Sequence, residues 1–156
     1  MNLKELYQEI ILDHGKNPHN LKKIENFNKE AKGHNPLCGD KVHVYLKLDD
    51  NKNIKDISFE GIGCAISMAS ASIMTDLLKN KKEKEVKEVV KDFLEMIKEK
   101  PELSTKILLE DEKTKLMCLS GVKQYPMRVK CATLAWHTLT SAIKGKKEEV
   151  NTEVID

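Results

Sequence analysis

The hydrophobic pattern of the chain uses two different periods, and their order along the sequence constrains the fold more than any other feature. Apolar side chains alternate with polar ones through residues 42–48, which predicts a strand with one buried face. A turn at residues 49–53 and a second apolar segment at 54–59 complete a predicted hairpin. From residue 64 onward the apolar residues recur every three to four positions, and this spacing predicts helices.

The same helical spacing opens the chain, where it predicts an amphipathic N-terminal helix that ends near Gly15. Further helices are predicted at residues 64–78, 86–97, 103–119 and 126–144. Residues 20–33 carry no clear pattern, and residues 121–125 are predicted to form a loop. The order of helix, hairpin and several helices predicts an α+β fold, with a small antiparallel sheet and the helices packed on one face.

The length of 156 residues suits one domain with one core. We expect a single domain over residues 1–156, with its core at about 3–144 and a charged, frayed C-terminal tail. The formal net charge is only +2, so no strong field favours nucleic acid or an anionic membrane. No apolar run approaches the roughly 20 residues of a membrane span, and the N-terminus does not resemble a signal peptide. A cytoplasmic protein is therefore expected.

Four cysteines, at positions 38, 64, 118 and 131, are the residues most able to carry chemistry. Disulfides are rare in the cytoplasm, so these thiols indicate a metal, redox chemistry or core packing. In Cys38-Gly39-Asp40 the glycine lets the backbone bend, so that the thiol and the carboxylate can face one centre.

Two more thiols can reach that centre from helices. Cys64 is predicted at a helix start, where the helix dipole stabilises a thiolate, and Cys131 is in the early turns of the last helix. Three thiols and one carboxylate suit zinc, and sulfur-rich sites also suit iron–sulfur clusters. The spacings of 26 and 67 residues are weak evidence, so packing of Cys64 and Cys131 as small apolar residues stays open.

The sequence around these cysteines resembles the IscU/SufU family of iron–sulfur cluster assembly proteins, which is also described as NifU N-terminal-like. The resemblance rests on YQEIILDHGKNP at residues 7–18, NPLCGD at 35–40, GIGCAISMASAS at 61–72 and SGVKQYPMRVKCATL at 120–134. It covers about residues 3–144. Lys130 stands where IscU-type scaffolds have a histidine, and the segment before Cys131 is long, so the SufU branch is the better match.

This resemblance implies a zinc-dependent sulfur carrier, or sulfurtransferase, that accepts persulfide sulfur from a pyridoxal-phosphate cysteine desulfurase. A cluster-assembly scaffold would then receive the sulfur. The implied zinc ligands are Cys38, Asp40, Cys64 and Cys131, and Cys38 is the implied sulfur acceptor. Arg128, the only arginine of the chain, has an implied supporting role near the metal, and a surface ion pair is its alternative.

Two other functions stay open at this point. The same ligands can hold a [2Fe–2S] cluster on an assembly scaffold, or zinc can stabilise an interaction module that performs no thiol chemistry. Cys118 is expected in the core, with an all-cysteine site that uses it instead of Asp40 as the alternative. None of the five histidines is a predicted zinc ligand, although His34 is close enough in sequence to support Cys38.

Overall fold

The structure is a computed structural model that describes residues 2–154, so Met1 and residues 155–156 of the predicted domain lie outside it. The helices are α1 (Leu3–Lys16), α2 (Ala65–Leu78), α3 (Glu83–Lys98), α4 (Glu110–Met117) and α5 (Pro126–Lys144), with a 3₁₀-helix at Cys118–Gln124. The strands are β1 (Lys29–Asn35), β2 (Asp40–Leu48), β3 (Ile54–Ile62) and β4 (Val150–Asn151). The predicted α+β class is confirmed.

The four strands form one sheet in the order β3-β2-β1-β4. The predicted hairpin is the antiparallel pair of β2 and β3. Strand β1 pairs antiparallel with β2, and the short β4 pairs parallel with β1. The sheet is therefore mixed, because a strand from the C-terminal segment adds to the predicted antiparallel pair. The expectation that the tail is frayed is wrong for Val150–Asn151.

Strand β1 lies in a segment for which no element was predicted. Its inward positions are Ala31, Gly33 and Asn35, which are all buried but are small or polar. A built Cβ at Gly33 would lie 2.2 Å from Oγ1 of Thr138 in α5, so the missing side chain allows this helix to approach the strand closely. The alternation of burial in β1 is therefore real, but it is not an alternation of hydrophobicity.

Helices α2 and α5 pack against each other and against the sheet. Many residues of α2 are buried alanines and serines, as its small side chains predicted. Trp136 of α5 is fully buried, and its indole N–H donates to Oγ of Ser70 in α2 over 2.9 Å. This contact fixes the two helices that carry predicted metal ligands. Within residues 2–154, no helix has the length and apolar character that crossing a membrane requires.

The helix predicted over residues 103–119 is wrong in its first half, because α4 begins only at Glu110. The buried carboxylate of Asp92 accepts hydrogen bonds from the backbone N–H groups of Ser104 and Thr105, each at 2.9 Å. These amides are satisfied outside a helix, and the segment is held against α3. The predicted loop at 121–125 is also wrong in part, since the 3₁₀-helix extends to Gln124.

Candidate metal centre

The loop between β1 and β2 carries the first two predicted ligands. Its ends are the paired residues Asn35 and Asp40, and the N–H of Cys38 donates to the carbonyl of Asn35 over 3.3 Å. Gly39 has φ +70°, a left-handed conformation that glycine adopts without strain. The half-buried Cys38 thus lies in a turn, and Asp40 is the fully buried first residue of β2.

The carboxylate of Asp40 is fixed by neutral hydrogen-bond donors. Its Oδ1 accepts the backbone N–H of Cys64 at 2.9 Å, and its Oδ2 accepts the side-chain amide of Asn35 at 3.3 Å. Gly63 allows this approach, since a Cβ there would lie 2.4 Å from Oδ1. A buried carboxylate whose donors are neutral amides and the Cys131 thiol is costly in free energy unless a cation compensates its charge.

Three of the predicted ligands converge. One ligand atom each from Cys38, Asp40 and Cys131 lies within 4.8 Å of the other two. Cys131 is buried in α5, and Asn35 donates to its sulfur over 3.5 Å. Two sulfur atoms and one carboxylate oxygen are donors that zinc accepts, so this donor set fits the predicted ion.

Cys64, the fourth predicted ligand, joins this cluster through Cys131. It is the N-cap of α2, and its sulfur accepts the backbone N–H of Ser67 over 3.4 Å. A hydrogen bond from the Cys131 thiol and this helix N-terminus lower the pKa of Cys64. The same hydrogen bond, together with burial, raises the pKa of Cys131. The cluster thus favours a thiolate at Cys64, as expected for a thiol at a helix start.

Arg128 lies in the first turn of α5, exposed and beside the thiols. A hydrogen bond to Cys131 raises its pKa, and the charges of Cys64 and Cys131 act in the same direction. The structure therefore brings the single arginine to the predicted ligands.

Cys118 and His34 lie apart from this arrangement. Cys118 is buried outside the converging group, and burial raises its pKa to about 12, which fits the predicted core position. His34 pairs with Glu149. The residue that contacts the site from β1 is Asn35, which sequence reasoning did not single out. Its only signal is its place as the first residue of the motif at residues 35–40, which carries Cys38.

Large apolar side chains are exposed next to the candidate ligands along the chain. Leu37 precedes Cys38 and is 55% exposed, Ile62 is 66% exposed shortly before Cys64, and Met127 precedes Arg128 and is 53% exposed. These side chains leave more than half of their surface in water, so they suit contact with another protein.

Comparisons with known proteins agree with the motifs. The NifU-like N terminal domain family matches residues 6–132. A Bacillus subtilis (strain 168) protein named zinc-dependent sulfurtransferase SufU is 41% identical over 148 residues, which are 95% of each chain. A Streptococcus pyogenes serotype M1 protein named iron–sulfur cluster assembly scaffold protein IscU is 39% identical over 142 residues, 91% of this chain and 85% of that one.

A solved structure with a related name shares the fold. It is a putative iron–sulfur cluster assembly scaffold protein for the SUF system from Fervidobacterium islandicum AW-1. It matches with a TM-score of 0.72 and 38% identity, over 89% of this chain and 97% of the other. The sequence and structure comparisons therefore indicate the same group of proteins.

Proposed function

Because the chain belongs to the NifU-like N-terminal domain family, with its IscU and SufU scaffold proteins, we propose that it is a zinc-dependent sulfur carrier. The observation that carries this proposal is the convergence of Cys38, Asp40 and Cys131 beside Cys64. We propose that it acts as one domain, since one cluster of buried residues extends from Ala31 to Ile143.

The proposed zinc ligands are Cys38, Asp40, Cys64 and Cys131. Zinc, when bound, keeps cysteine ligands deprotonated at neutral pH. Three thiolates and one carboxylate carry four negative charges, so a divalent ion leaves the site with a net charge of about −2. The guanidinium of Arg128 reduces this charge further, and it offers a positive group to the negative charge that moves onto the partner's sulfur during the transfer.

Cys38 is the proposed sulfur acceptor because it lies in a loop. Cys64 caps α2 and Cys131 is buried in α5, whereas Cys38 is half-buried in a turn next to Gly39. A thiol that meets a partner and returns must be able to move, and loops allow such movement better than helices do.

The transfer needs no outside oxidant or reductant. The Cys38 thiolate attacks the outer sulfur of a cysteine persulfide on a pyridoxal-phosphate desulfurase. A bond forms between Cys38 Sγ and that sulfur as the partner's S–S bond breaks, and the partner's cysteine leaves as a thiolate. The outer sulfur keeps its proton, so Cys38 becomes a persulfide that a cluster-assembly scaffold can accept. The exposed Leu37, Ile62 and Met127 suit the docking that this step requires.

The test is mass spectrometry of the intact chain after incubation with the desulfurase and free cysteine. The wild-type chain should gain roughly 32 Da, one sulfur atom, and Cys38→Ser should gain none. Cys118→Ala is the matched control and should gain sulfur as the wild type does. Added sulfur that maps to another cysteine, or desulfurase stimulation by Cys38→Ser, would show that the acceptor is wrongly assigned.

A cluster scaffold is the second candidate, since two of the relatives are named scaffold proteins. Metal analysis and the visible spectrum of the purified chain separate the two candidates. A colourless chain with one zinc ion supports the carrier, and a coloured chain with iron and labile sulfide supports the scaffold. Zinc without any effect on the desulfurase would indicate a zinc-stabilised interaction module instead.

A further inference from the structure

A second group of metal-ligating side chains lies where α1 meets α2, apart from the cysteines. Asp13 and His14 are in the last turn of α1, and His19 is in the loop that follows. One ligand atom from each of the three lies within 4.8 Å of the other two. The two imidazole rings are neighbours, with their centroids 4.5 Å apart.

Each imidazole is oriented by a partner on α2. Nδ1 of His19 lies 2.5 Å from the carboxylate of Asp76, and Nδ1 of His14 lies 2.7 Å from Oγ of Ser72. Histidines that bind metals commonly use one ring nitrogen for such a contact, which fixes the ring and leaves the other nitrogen for the ion. Binding through Nε2 would therefore keep both contacts intact.

The loop is held against α2 by further hydrogen bonds. The backbone N–H of His19 donates to Oγ of Ser72 over 2.8 Å. Asn20 has φ 59°, and its amide donates to Thr75 at 3.0 Å and to Asp76 at 3.2 Å. His19 is thus positioned by the fold, so an ion would not have to order the loop when it binds.

The donor set and its exposure indicate the kind of ion. Two imidazole nitrogens favour a first-row transition metal over Mg²⁺ or Ca²⁺, which prefer oxygen. His14 is buried, but Asp13 and His19 are exposed. One side of the group therefore faces water, which can complete the coordination.

We propose that Asp13, His14 and His19 form a second metal site that takes a divalent first-row transition-metal ion. It uses none of the four proposed ligands of the cysteine centre. Its supporting residue Asp76 is roughly three helical turns beyond Cys64 along α2. This second site therefore does not depend on the proposed sulfur transfer. Metal binding is a role for His14 and His19 that the sequence did not predict.

The test uses Co²⁺ as the probe on the full-length chain, loaded beforehand with one equivalent of zinc to occupy the cysteines. Zinc binds such sites more tightly than cobalt does, so cobalt is directed to the second site. Equilibrium dialysis should find one Co²⁺ per chain, and NMR should find the ring signals of His14 and His19 selectively shifted. Cobalt bound to thiolates would instead show their intense charge-transfer absorption.

Three variants decide the assignment. His19→Gln should abolish cobalt binding, and Asp76→Asn should weaken it about 10- to 100-fold by releasing the His19 ring. His43→Gln is the matched control, because His43 is a half-buried histidine that pairs with Glu30 on the sheet, and it should bind cobalt as the wild type does. The proposal would be overturned if the zinc-loaded chain bound no Co²⁺. It would also be overturned if His19→Gln and the His43→Gln control bound Co²⁺ with equal affinity. Circular dichroism checks that each variant is folded.

Discussion

The absence of one side chain at position 63 sets the distance between the start of α2 and the carboxylate of Asp40. A methyl group at this position would lie 2.4 Å from Oδ1 of Asp40, well inside van der Waals contact. The carboxylate would have to move, and its 2.9 Å hydrogen bond from the N–H of Cys64 would be lost. Gly63 is thus part of the proposed zinc site although it contributes no ligand.

We expect Gly63→Ala to lower the zinc affinity of the chain about 10- to 100-fold, the range seen when groups that orient a ligand are removed. Competition with a chromogenic chelator measures this affinity. Gly121→Ala is the control, because nothing lies within 4 Å of a built Cβ at that glycine. Equal zinc affinities in the two variants would show that the position of Asp40 does not depend on Gly63.

At the level of single residues, the sequence predicted a set of side chains to carry chemistry but did not predict which ones orient them. Cys38, Asp40, Cys64 and Cys131 were predicted as ligands because their types and neighbouring motifs are distinctive. Asn35 was not singled out, since its importance depends on contacts with Cys131 and Thr152, which are distant in the sequence. His19, a proposed ligand of the second site, was not predicted for the same reason, because its partner Asp76 lies on a helix that is distant in the sequence.

Strand β4 connects the C-terminal segment to the candidate metal centre. Oγ1 of Thr152, directly after β4, donates to the amide oxygen of Asn35 over 3.0 Å. The amide nitrogen of Asn35 in turn donates to Asp40 and to Cys131. The C-terminal segment therefore fixes the orientation of an amide that contacts two proposed ligands.

We expect Thr152→Val, which removes this hydroxyl with little change in volume, to destabilise the fold by about 1–3 kcal/mol and to speed zinc release. Urea unfolding and chelator-induced release measure the two effects. Thr140→Val is the control, because its hydroxyl donates to the carbonyl of Trp136 in its own helix. The connection would be refuted if both variants released zinc at the wild-type rate.

The elements that the sequence predicted are those with a strong hydrophobic period. The β2–β3 hairpin and α3 show it clearly, and both are present. Strand β1 buries Gly33 and Asn35, which no hydrophobic pattern reveals. Strand β4 has two residues, so it forms only because the edge of β1 is available to pair with it. Neither strand can be predicted from local sequence, because both depend on distant contacts.

At the scale of the whole molecule, the proposed zinc ligands join three separate parts of the fold. They come from the β1–β2 loop and the first residue of β2, from the start of α2, and from α5. An ion that binds all of them only in the folded state should stabilise the entire domain. Folding and zinc binding are therefore expected to be coupled.

We expect a chelator to lower the melting temperature of the zinc-loaded chain, and excess zinc to restore it. Free zinc at 1,000 times its dissociation constant corresponds to about 4 kcal/mol of stabilisation. Cys131→Ala should lose the effect of zinc, and Cys118→Ala should keep it because Cys118 lies outside the cluster. Differential scanning fluorimetry provides the measurement. If the wild-type chain had the same melting temperature with and without zinc, folding and zinc binding would not be coupled.

The stability of the domain should also depend on pH through His137. Burial lowers the pKa of His137, and the nearby positive charge of Lys98 acts in the same direction. The unfolded chain binds a proton at an ordinary pKa of about 6.5, whereas the folded chain binds it only at lower pH. The free energy of unfolding should therefore fall as the pH decreases below about 6.5, until the folded-state pKa is reached.

We expect His137→Gln to reduce this pH dependence, because it removes the group that titrates differently in the two states. Urea unfolding at about pH 7.5 and about pH 5.5 measures the dependence. His43→Gln, a substitution on the sheet, is the control. Parallel pH dependence in His137→Gln and the wild type would show that another group is responsible.

Because Cys38 and Cys131 are far apart in the sequence, the ribosome synthesises them at clearly different times. The two residues are 93 positions apart, and translation at about 5–20 residues per second separates their synthesis by about 5–19 s. During that interval Cys38 and Asp40 have been made, but the partner from α5 does not yet exist. The proposed zinc site can therefore be completed only after α5 has been synthesised, and until then the nascent Cys38 thiol lacks the protection against oxidation that a bound ion would give.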